Sequence, residues 1–343
     1  MTTRRLAGLN APSVSILLPV RDEASFLDEA LGSLSAQTFE DFEVIVVDDG
    51  STDRSAEIAS AHALDDRRFR LVQQEPWGIV AALQRAGAEA RGRYLARMDG
   101  DDVALPQRLE LQVDALESDG LDACGGGIEY FPREVVRDGA RRYEGWINGL
   151  TTIEAARRDL FVECPLPHPA LLVRREAFDA AGGYLDCGWP EDYDLVLRLW
   201  ARDGRFRNVD DVVLRWREHD VRASRTESRY SLEAFVRCKV HHLRATMLAA
   251  HDSAIVWGAG PGGKAFAREL LRQGTHVAAF VDVDPRKIGH EVAGAPVVAV
   301  EEAPRFRNAF AIGAVSGADG RARVRELAAD QGWRDGVDFV AVA

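Results

Sequence analysis

Phe42–Ser55, FEVIVVDDGSTDRS, runs from a buried-strand pattern through a tight turn into the start of a helix. Its first part, Phe42–Asp48, is a short β-branched apolar run, which is typical of strands buried on both faces of a parallel sheet. Ser51–Asp53 consists of residue types that commonly cap the start of a helix, so it predicts a helix over Arg54–Ala63. The stretch therefore predicts one strand and one helix of an α/β fold.

The same pattern continues on both sides of this stretch. Upstream, Val14–Pro19 (VSILLP) reads as a second buried strand, and the helical spacing of apolar residues over Glu23–Gln37 links it to Phe42–Asp48 as a βαβ unit. Downstream, the chain predicts strand Arg70–Gln73, helix Ile79–Ala90 and strand Tyr94–Met98. We therefore expect a parallel α/β sheet in this part of the chain.

Three carboxylates follow the last of these strands within four residues. Ala96–Asp102 reads ARMDGDD and holds Asp99, Asp101 and Asp102. Neighbouring carboxylates repel one another unless water or a cation screens them, and Mg²⁺ and Mn²⁺ prefer oxygen ligands. An acidic surface turn would have the same composition. The position at the carboxyl end of a parallel strand, where ligands bind in open α/β sheets, favours a metal and phosphate site.

Length and composition indicate an ordinary globular chain of two domains, with 343 residues of which 46% are hydrophobic and 29% charged. No apolar run approaches the roughly 18 residues of a membrane span, and Met1–Ser13 lacks a signal-peptide pattern, so we expect a cytoplasmic protein. The net charge of −12 argues against nucleic acid as a partner. The basic run Val221–Arg229 is either a solvated surface or a contact with phosphate or the inner face of a membrane.

Further elements follow the acidic cluster. Gln107–Leu116 predicts a helix, Gly125–Gly127 predicts a turn or a close backbone approach, and Leu171–Gly183 predicts a strand followed by a helix. Asp192–Ala201 predicts a helix with one apolar face and acids at its start, where the helix dipole favours them. Ser231–Ala250 is expected to be a helical connector.

Four segments together resemble family 2 glycosyltransferases of the GT-A fold. In order, they are Val14–Glu23 (VSILLPVRDE), Phe42–Ser55, Ala96–Asp102 and Trp189–Leu195 (WPEDYDL). The resemblance covers about residues 13–222. It implies a mixed, mostly parallel sheet and inverting transfer of a sugar from a nucleotide-diphosphate donor, with UDP-sugar favoured.

The resemblance also implies roles for individual residues. Five residues at the end of the first strand would cradle the nucleoside: Pro19, Val20, Arg21, Asp22 and Glu23. Asp49 would hydrogen-bond the base, although the same Asp-Asp-Gly-Ser sequence also makes a good turn. Asp101 would bind Mn²⁺ or Mg²⁺ directly, and Asp99 would face the ribose or the metal. His219 would complete the metal shell or reach the diphosphate, as His168 also could, although a lone histidine is often only a packing residue.

A base must take the proton from the acceptor hydroxyl. Asp192 matches the family's catalytic position, and Glu191 is the rival. Crowding by Glu191 and Asp194 is expected to raise the pKa of Asp192 towards the working pH. The alternative is that these acids only cap the helix.

The class of acceptor also follows from the resemblance. Processive synthases carry Gln-x-x-Arg-Trp and membrane helices, whereas Val212–Trp216 (VVLRW) lacks the glutamine. We therefore expect transfer of a single sugar to a glycan or lipid-linked acceptor in surface polysaccharide biosynthesis, by a chain that could form a homo-oligomer. The alternatives are a nucleotidyltransferase that makes sugar nucleotides and a non-catalytic nucleotide-binding scaffold.

The C-terminal part begins a second α/β pattern at Ala254. A strand leads into Gly258-x-Gly260-x-x-Gly263, and a helix and a strand ending at Asp282 follow. This resembles a Rossmann-like nucleotide-binding domain, in which Gly258 permits the turn, Gly260 allows a phosphate to approach and Asp282 could hold a ribose. A purely structural or oligomerising module is the alternative. We therefore predict a glycosyltransferase domain over residues 1–222, a connector over 223–250 and a Rossmann-like domain over 251–343.

Overall fold

The computed structural model describes residues 11–219 and 227–343, which divide into two compact units. The first unit contains residues 11–151, 166–184 and 204–219, and the second contains residues 152–165, 185–203 and 227–343. Residues 152–165 and 185–203 thus group with the C-terminal residues, whereas the sequence placed them in the first domain. The predicted domain limits stay a prediction. Most of the basic run Val221–Arg229 lies outside the described residues.

The first unit is built on one eight-stranded sheet. Its strands are β1 (Val14–Val20), β2 (Phe42–Asp49), β3 (Phe69–Gln74), β4 (Tyr94–Arg97), β5 (Val103–Ala104), β6 (Ala123–Phe131), β7 (Leu172–Arg174) and β8 (Phe206–Arg217). They lie in the order β3-β2-β1-β4-β7-β6-β8-β5. The first four are parallel, β7 is antiparallel to both of its neighbours, and β8 runs parallel to β6. The predicted mixed, mostly parallel sheet is confirmed.

The α-helices of both units are, in chain order, α1 (Leu27–Ser35), α2 (Ser55–Asp65), α3 (Ile79–Glu89), α4 (Arg108–Ser118), α5 (Asp138–Asn148), α6 (Ile153–Arg158), α7 (Arg175–Ala180), α8 (Glu191–Trp200), α9 (Leu232–Ala245), α10 (Pro261–Arg272) and α11 (Ala318–Asp330). Helices α6 and α8–α11 belong to the second unit. Helix α1 begins later than predicted, because the backbone N–H groups of Glu23 and Ala24 donate to Ser55 and Asp53. No helix in the described ranges is both long and apolar enough to cross a membrane.

The glycine run Gly125–Gly127 lies inside β6 and forms no turn. A Cβ on Gly125 would lie 2.2 Å from Oδ1 of Asn208, and one on Gly126 would lie 2.4 Å from Cγ2 of Val213. The run therefore permits a close approach of β8 to β6, which was one of the two expected alternatives.

The second unit contains a six-stranded sheet. Its strands are β9 (Ser253–Trp257), β10 (His276–Val281), β11 (Glu291–Val292), β12 (Ala295–Val298), β13 (Phe310–Gly313) and β14 (Phe339–Ala341). They lie in the order β11-β12-β10-β9-β13-β14, and all but the edge strand β11 are parallel. Buried Trp257 and Trp333 pack edge to face in its core. The Rossmann-like arrangement expected from the sequence is confirmed.

Candidate active site

Two loops at the carboxyl edge of the first sheet hold each other by reciprocal hydrogen bonds. The backbone N–H of Asp22 donates to Oγ of Ser51 at 3.0 Å, and the backbone N–H of Thr52 donates to Oδ1 of Asp22 at 2.7 Å. Asp22 is strained into the left-handed region, with φ of +54°. Pro19 and Val20 are buried in β1, and Arg21 is exposed beside them. The residues predicted to cradle a nucleoside therefore form a braced loop.

Asp49, at the end of β2, is buried and holds the loop between β3 and α3. Its carboxylate accepts hydrogen bonds from Nε2 of Gln74 at 2.7 Å and from the backbone N–H groups of Trp77 at 2.9 Å and Gly78 at 2.8 Å. Sequence reasoning predicted a base contact for Asp49 and missed this structural role. An ionised carboxylate can accept about four hydrogen bonds, so the three internal ones are compatible with a further contact to a base.

The three carboxylates after β4 converge. Asp99, Asp101 and Asp102 each offer an oxygen, and these atoms lie within 4.8 Å of one another. Asp102 is fully buried, whereas Asp99 and Asp101 are partly exposed. Because β4 pairs in parallel with β1, the cluster lies at the same sheet edge as the braced loop.

Two arginines support this cluster. The Arg97 guanidinium forms an ion pair with Asp99. The backbone N–H of Arg217 donates to Oδ1 of Asp102 at 2.7 Å, and its Nε donates to the carbonyl oxygen of Asp101 at 2.6 Å. Sequence reasoning assigned no role to either arginine. Arg97 lies within the ARMDGDD segment itself, whereas no local pattern reveals that Arg217, at the end of β8, returns to the loop after β4.

Glu23 adds a fourth carboxylate. A Cβ on Gly100 would lie only 2.6 Å from Oε2 of Glu23, so the absence of a side chain at Gly100 makes room for this carboxylate. Within the described part of the chain, Oε2 is buried without a hydrogen-bond partner. Burial, and then the charges of Asp101 and Asp99, raise the pKa of Glu23 well above its usual range. Four neighbouring carboxylates with one orphaned oxygen fit the preference of Mg²⁺ or Mn²⁺ for oxygen donors.

The two candidate histidines have different surroundings. His219 Nε2 lies 2.7 Å from Oδ2 of Asp101, and its ring stacks on Phe26 with 5.5 Å between centroids. His168 is buried, with Nε2 2.9 Å from the hydroxyl of Tyr184. Burial, and then the charge of Arg97, lower the pKa of His168 well below its usual value, so it stays neutral at pH 7. The structure therefore brings His219 to the acidic cluster, and it gives His168 a packing contact.

The first turn of α8, in the second unit, carries Glu191, Asp192 and Asp194. Glu191 is buried, and the hydroxyl of Tyr230 donates to its carboxylate oxygens at 2.9 and 3.1 Å. An Arg229 guanidinium nitrogen lies 3.7 Å from Glu191. Asp192 is the partly exposed member of the three.

Asp194 has a structural environment. It accepts from Nε1 of Trp189 at 2.9 Å and Nε of Arg198 at 2.7 Å, and His242 Nε2 lies 2.9 Å away. Burial acts to raise the pKa of Asp194, but the hydrogen bond with His242 and the charge of Arg198 outweigh it and lower the pKa to about 2. Arg229 lies beside Glu191 and Arg198 beside Asp194, and these cations offset the negative charges that were expected to raise the pKa of Asp192. The rise in the pKa of Asp192 therefore stays a prediction.

The glycine-rich loop of the second unit borders a cavity of about 370 Å³. Gly258 has φ of +101°, and a Cβ on Gly263 would lie 1.8 Å from the Gly258 carbonyl oxygen, whereas one on Gly260 would meet no atom within 4 Å. Asp282 accepts from the backbone N–H of Ala259 at 2.8 Å and from Nζ of Lys287 at 2.9 Å. The carboxylate predicted to hold a ribose therefore braces the loop.

Comparisons with known proteins match both parts of the chain. Residues 15–182 match the family model described as Glycosyl transferase family 2, and residues 250–332 match one described as CoA binding domain. The putative glycosyltransferase EpsE of Bacillus subtilis is 29% identical over 65% of this chain and 80% of its own length. The O-antigen biosynthesis glycosyltransferase WbnJ of Escherichia coli is 26% identical over 67% of this chain and 87% of its own.

Other relatives match over less of their length. The uncharacterized glycosyltransferase EpsJ of Bacillus subtilis is 37% identical, but the chain spans only 34% of it. The crystal structure of S. aureus TarS 1–349 in complex with UDP-GlcNAc aligns over 76% of this chain and 72% of its own, with a TM-score of 0.55 and 15% identity, which supports the fold. Because motifs, sheet order and family matches agree, the chain is a glycosyltransferase that carries a family 2 domain of the GT-A fold.

Proposed function

We propose that this enzyme transfers a single sugar, with inversion, from a nucleotide-diphosphate sugar to an acceptor hydroxyl. The observation that carries the proposal is the convergence of Asp99, Asp101 and Asp102 beside Glu23, at the sheet edge that also holds the Asp49 loop. We propose a UDP-sugar as donor and a surface glycan or lipid-linked acceptor, reached from the cytoplasmic side. The similarity to WbnJ, whose name refers to O-antigen biosynthesis, supports the glycan assignment.

The acidic cluster would hold Mn²⁺ or Mg²⁺. Asp101 is the proposed direct ligand, with Asp99 and His219 beside it, and the orphaned oxygen of Glu23 supports the presence of a cation. A bound dication would stabilise the negative charge that develops on the leaving diphosphate. Arg217 holds Asp101 and Asp102 in place through the two hydrogen bonds described above.

The braced loop and β2 would bind the nucleoside. Pro19, Val20 and Arg21 stand at the end of β1, and Asp49 stands at the end of the neighbouring strand β2. We propose that Asp49 contacts the base in addition to holding the loop after β3. His168, which is buried with Nε2 beside the Tyr184 hydroxyl, is a further proposed contact of the donor.

Asp192 is the proposed base. Its neighbour Glu191 is buried and receives a hydrogen bond from Tyr230, and Asp194 is tied to Trp189 and Arg198, whereas Asp192 is the partly exposed acid of the turn. A base must reach the proton that it abstracts, so exposure favours Asp192 over Glu191.

The experiment compares Asp192→Asn with Glu191→Gln in donor turnover, with UDP-sugars and Mn²⁺ supplied. Asp192→Asn should lower kcat by at least about hundredfold and leave donor affinity nearly unchanged. Glu191→Gln should keep measurable turnover and lose stability, because it disturbs the contact with Tyr230. Near-normal turnover in Asp192→Asn would overturn the assignment, and nucleotide binding without any turnover by the unmutated enzyme would favour a scaffold.

We further propose that the second unit binds a nucleotide at the glycine-rich loop. The cavity beside Gly260 and the family model described as CoA binding domain support this assignment. A thermal-shift screen of NAD, NADP and coenzyme A tests it. Gly260→Trp, which would fill the open space above the loop, should abolish any rise in melting temperature that these ligands give. A rise in melting temperature that persists in Gly260→Trp would show that the ligand binds elsewhere.

A further inference from the structure

Trp77 is an exposed aromatic side chain on a fixed stretch of backbone. Trp77 lies in the loop between β3 and α3 and is 72% exposed to solvent. A single exposed apolar residue is ordinary on a protein surface and by itself indicates nothing. The way in which the backbone of Trp77 is held distinguishes this position.

Three contacts fix that backbone. The buried Asp49 carboxylate accepts from the backbone N–H groups of Trp77 and of Gly78. Pro76 packs so closely on Gly50 that a Cβ there would lie 2.8 Å from Cδ of the proline. Gly78 has φ of +93°, which turns the chain directly into α3. The indole is therefore presented at the sheet edge by a rigid loop, and a fixed platform binds a flat ligand at a low entropic cost.

The position of the loop indicates which part of a donor would meet the indole. The sheet order β3-β2-β1-β4 puts three strand spacings between the loop after β3 and the acidic cluster after β4. Three spacings of about 4.8 Å separate them by about 14 Å along the sheet edge. With the diphosphate at Asp101 and the base at Asp49, as proposed above, a nucleoside diphosphate would have its base at the end nearest to Trp77.

We propose that Trp77 stacks on the nucleobase of the donor. The inference rests on the proposed function, because it takes the diphosphate to lie at the acidic cluster. The indole supplies the flat apolar face, and Asp49 both orients the loop and offers the base a hydrogen-bond acceptor. Stacking on an aromatic side chain tolerates different bases, so Trp77 would contribute affinity, and Asp49 would contribute selectivity.

The test measures the Mn²⁺-dependent part of binding by calorimetry, which excludes a nucleotide held by the second unit, for the unmutated enzyme and for Trp77→Ala, Trp77→Phe and Leu64→Ala. Leu64, on α2, is 85% exposed and serves as the matched control. The probes are UDP, GDP, CDP, dTDP and inorganic pyrophosphate, which lacks a base. Trp77→Ala should weaken binding of the tightest nucleoside diphosphate by at least about fivefold. Trp77→Phe should keep most of the affinity, and Leu64→Ala should keep all of it.

Binding of pyrophosphate should be the same in all four proteins. Unchanged binding of the nucleoside diphosphate in Trp77→Ala would overturn the stacking proposal alone. An equal loss of pyrophosphate affinity would also overturn it, because the substitution would then act through the shape of the loop. If the unmutated enzyme binds none of the five probes, the proposed function fails, and this inference fails with it.

Discussion

Replacing Asp194 with asparagine should lower the unfolding free energy of the second unit by at least about 2 kcal/mol at pH 7. The pKa of this carboxyl falls from 3.8 to about 2 on folding, through the contacts with His242 and Arg198. Since one pKa unit corresponds to about 1.4 kcal/mol, the charged form stabilises the folded state by about 2 kcal/mol.

The pH dependence has a definite sign. When folding lowers a pKa, the stability that the charged group contributes is complete above the unfolded pKa and is lost as the pH falls through the folded pKa. For Asp194, about half of the 2 kcal/mol should therefore be lost by pH 3. Urea unfolding at pH 7, 5, 4 and 3, followed by circular dichroism, measures the difference between the unmutated enzyme and Asp194→Asn. Glu291→Gln, at an exposed acid on the edge strand β11, is the control and should change nothing. A difference that stays constant down to pH 3, or is absent at pH 7, would refute this reasoning.

Three further predictions concern other parts of the molecule. Gly263→Ala should destabilise the second unit by about 3 kcal/mol in thermal unfolding, because the new Cβ would meet the Gly258 carbonyl oxygen. Gly260→Ala should change the stability by less than about 0.5 kcal/mol, because its Cβ would meet no atom. Equal effects of the two substitutions would contradict this reasoning. Of the four free cysteines only Cys187 is exposed, so a thiol reagent at pH 8 should modify one thiol in the native protein and four after denaturation. Arg217→Met should lower stability by about 1–3 kcal/mol in urea, and an unchanged midpoint would show that its contact with the Asp101 carbonyl contributes nothing.

Local sequence patterns predicted the first four strands and the helices between them. Ile16–Val20 and Val44–Val47 are continuous apolar runs that polar residues follow, and such runs depend only on neighbouring residues. The same patterns located the acidic cluster at a strand end. Strand β8 was not predicted in this way, because its pairing with β6 depends on contacts that are distant in sequence.

The supports of the site were harder to predict than its acids. The hydrogen bond from Arg217 to Asp102 joins residues 115 positions apart, and Glu23 meets Gly100 from a different strand end. The loop-holding role of Asp49 was also missed, since its partners follow the next strand. Motifs indicate which side chains carry charge, whereas only the folded chain shows which donors neutralise or orient them.

The most direct measurement is the turnover of a UDP-sugar by the unmutated enzyme and by Asp101→Asn, with and without Mn²⁺, together with donor affinity by calorimetry. Asp101 would hold the metal, so the unmutated enzyme should need Mn²⁺, and Asp101→Asn should lose at least about hundredfold in kcat while donor affinity changes only a few-fold. Metal-independent turnover by the unmutated enzyme, or near-normal turnover by Asp101→Asn, would contradict the assignment of this cluster as the metal and diphosphate site.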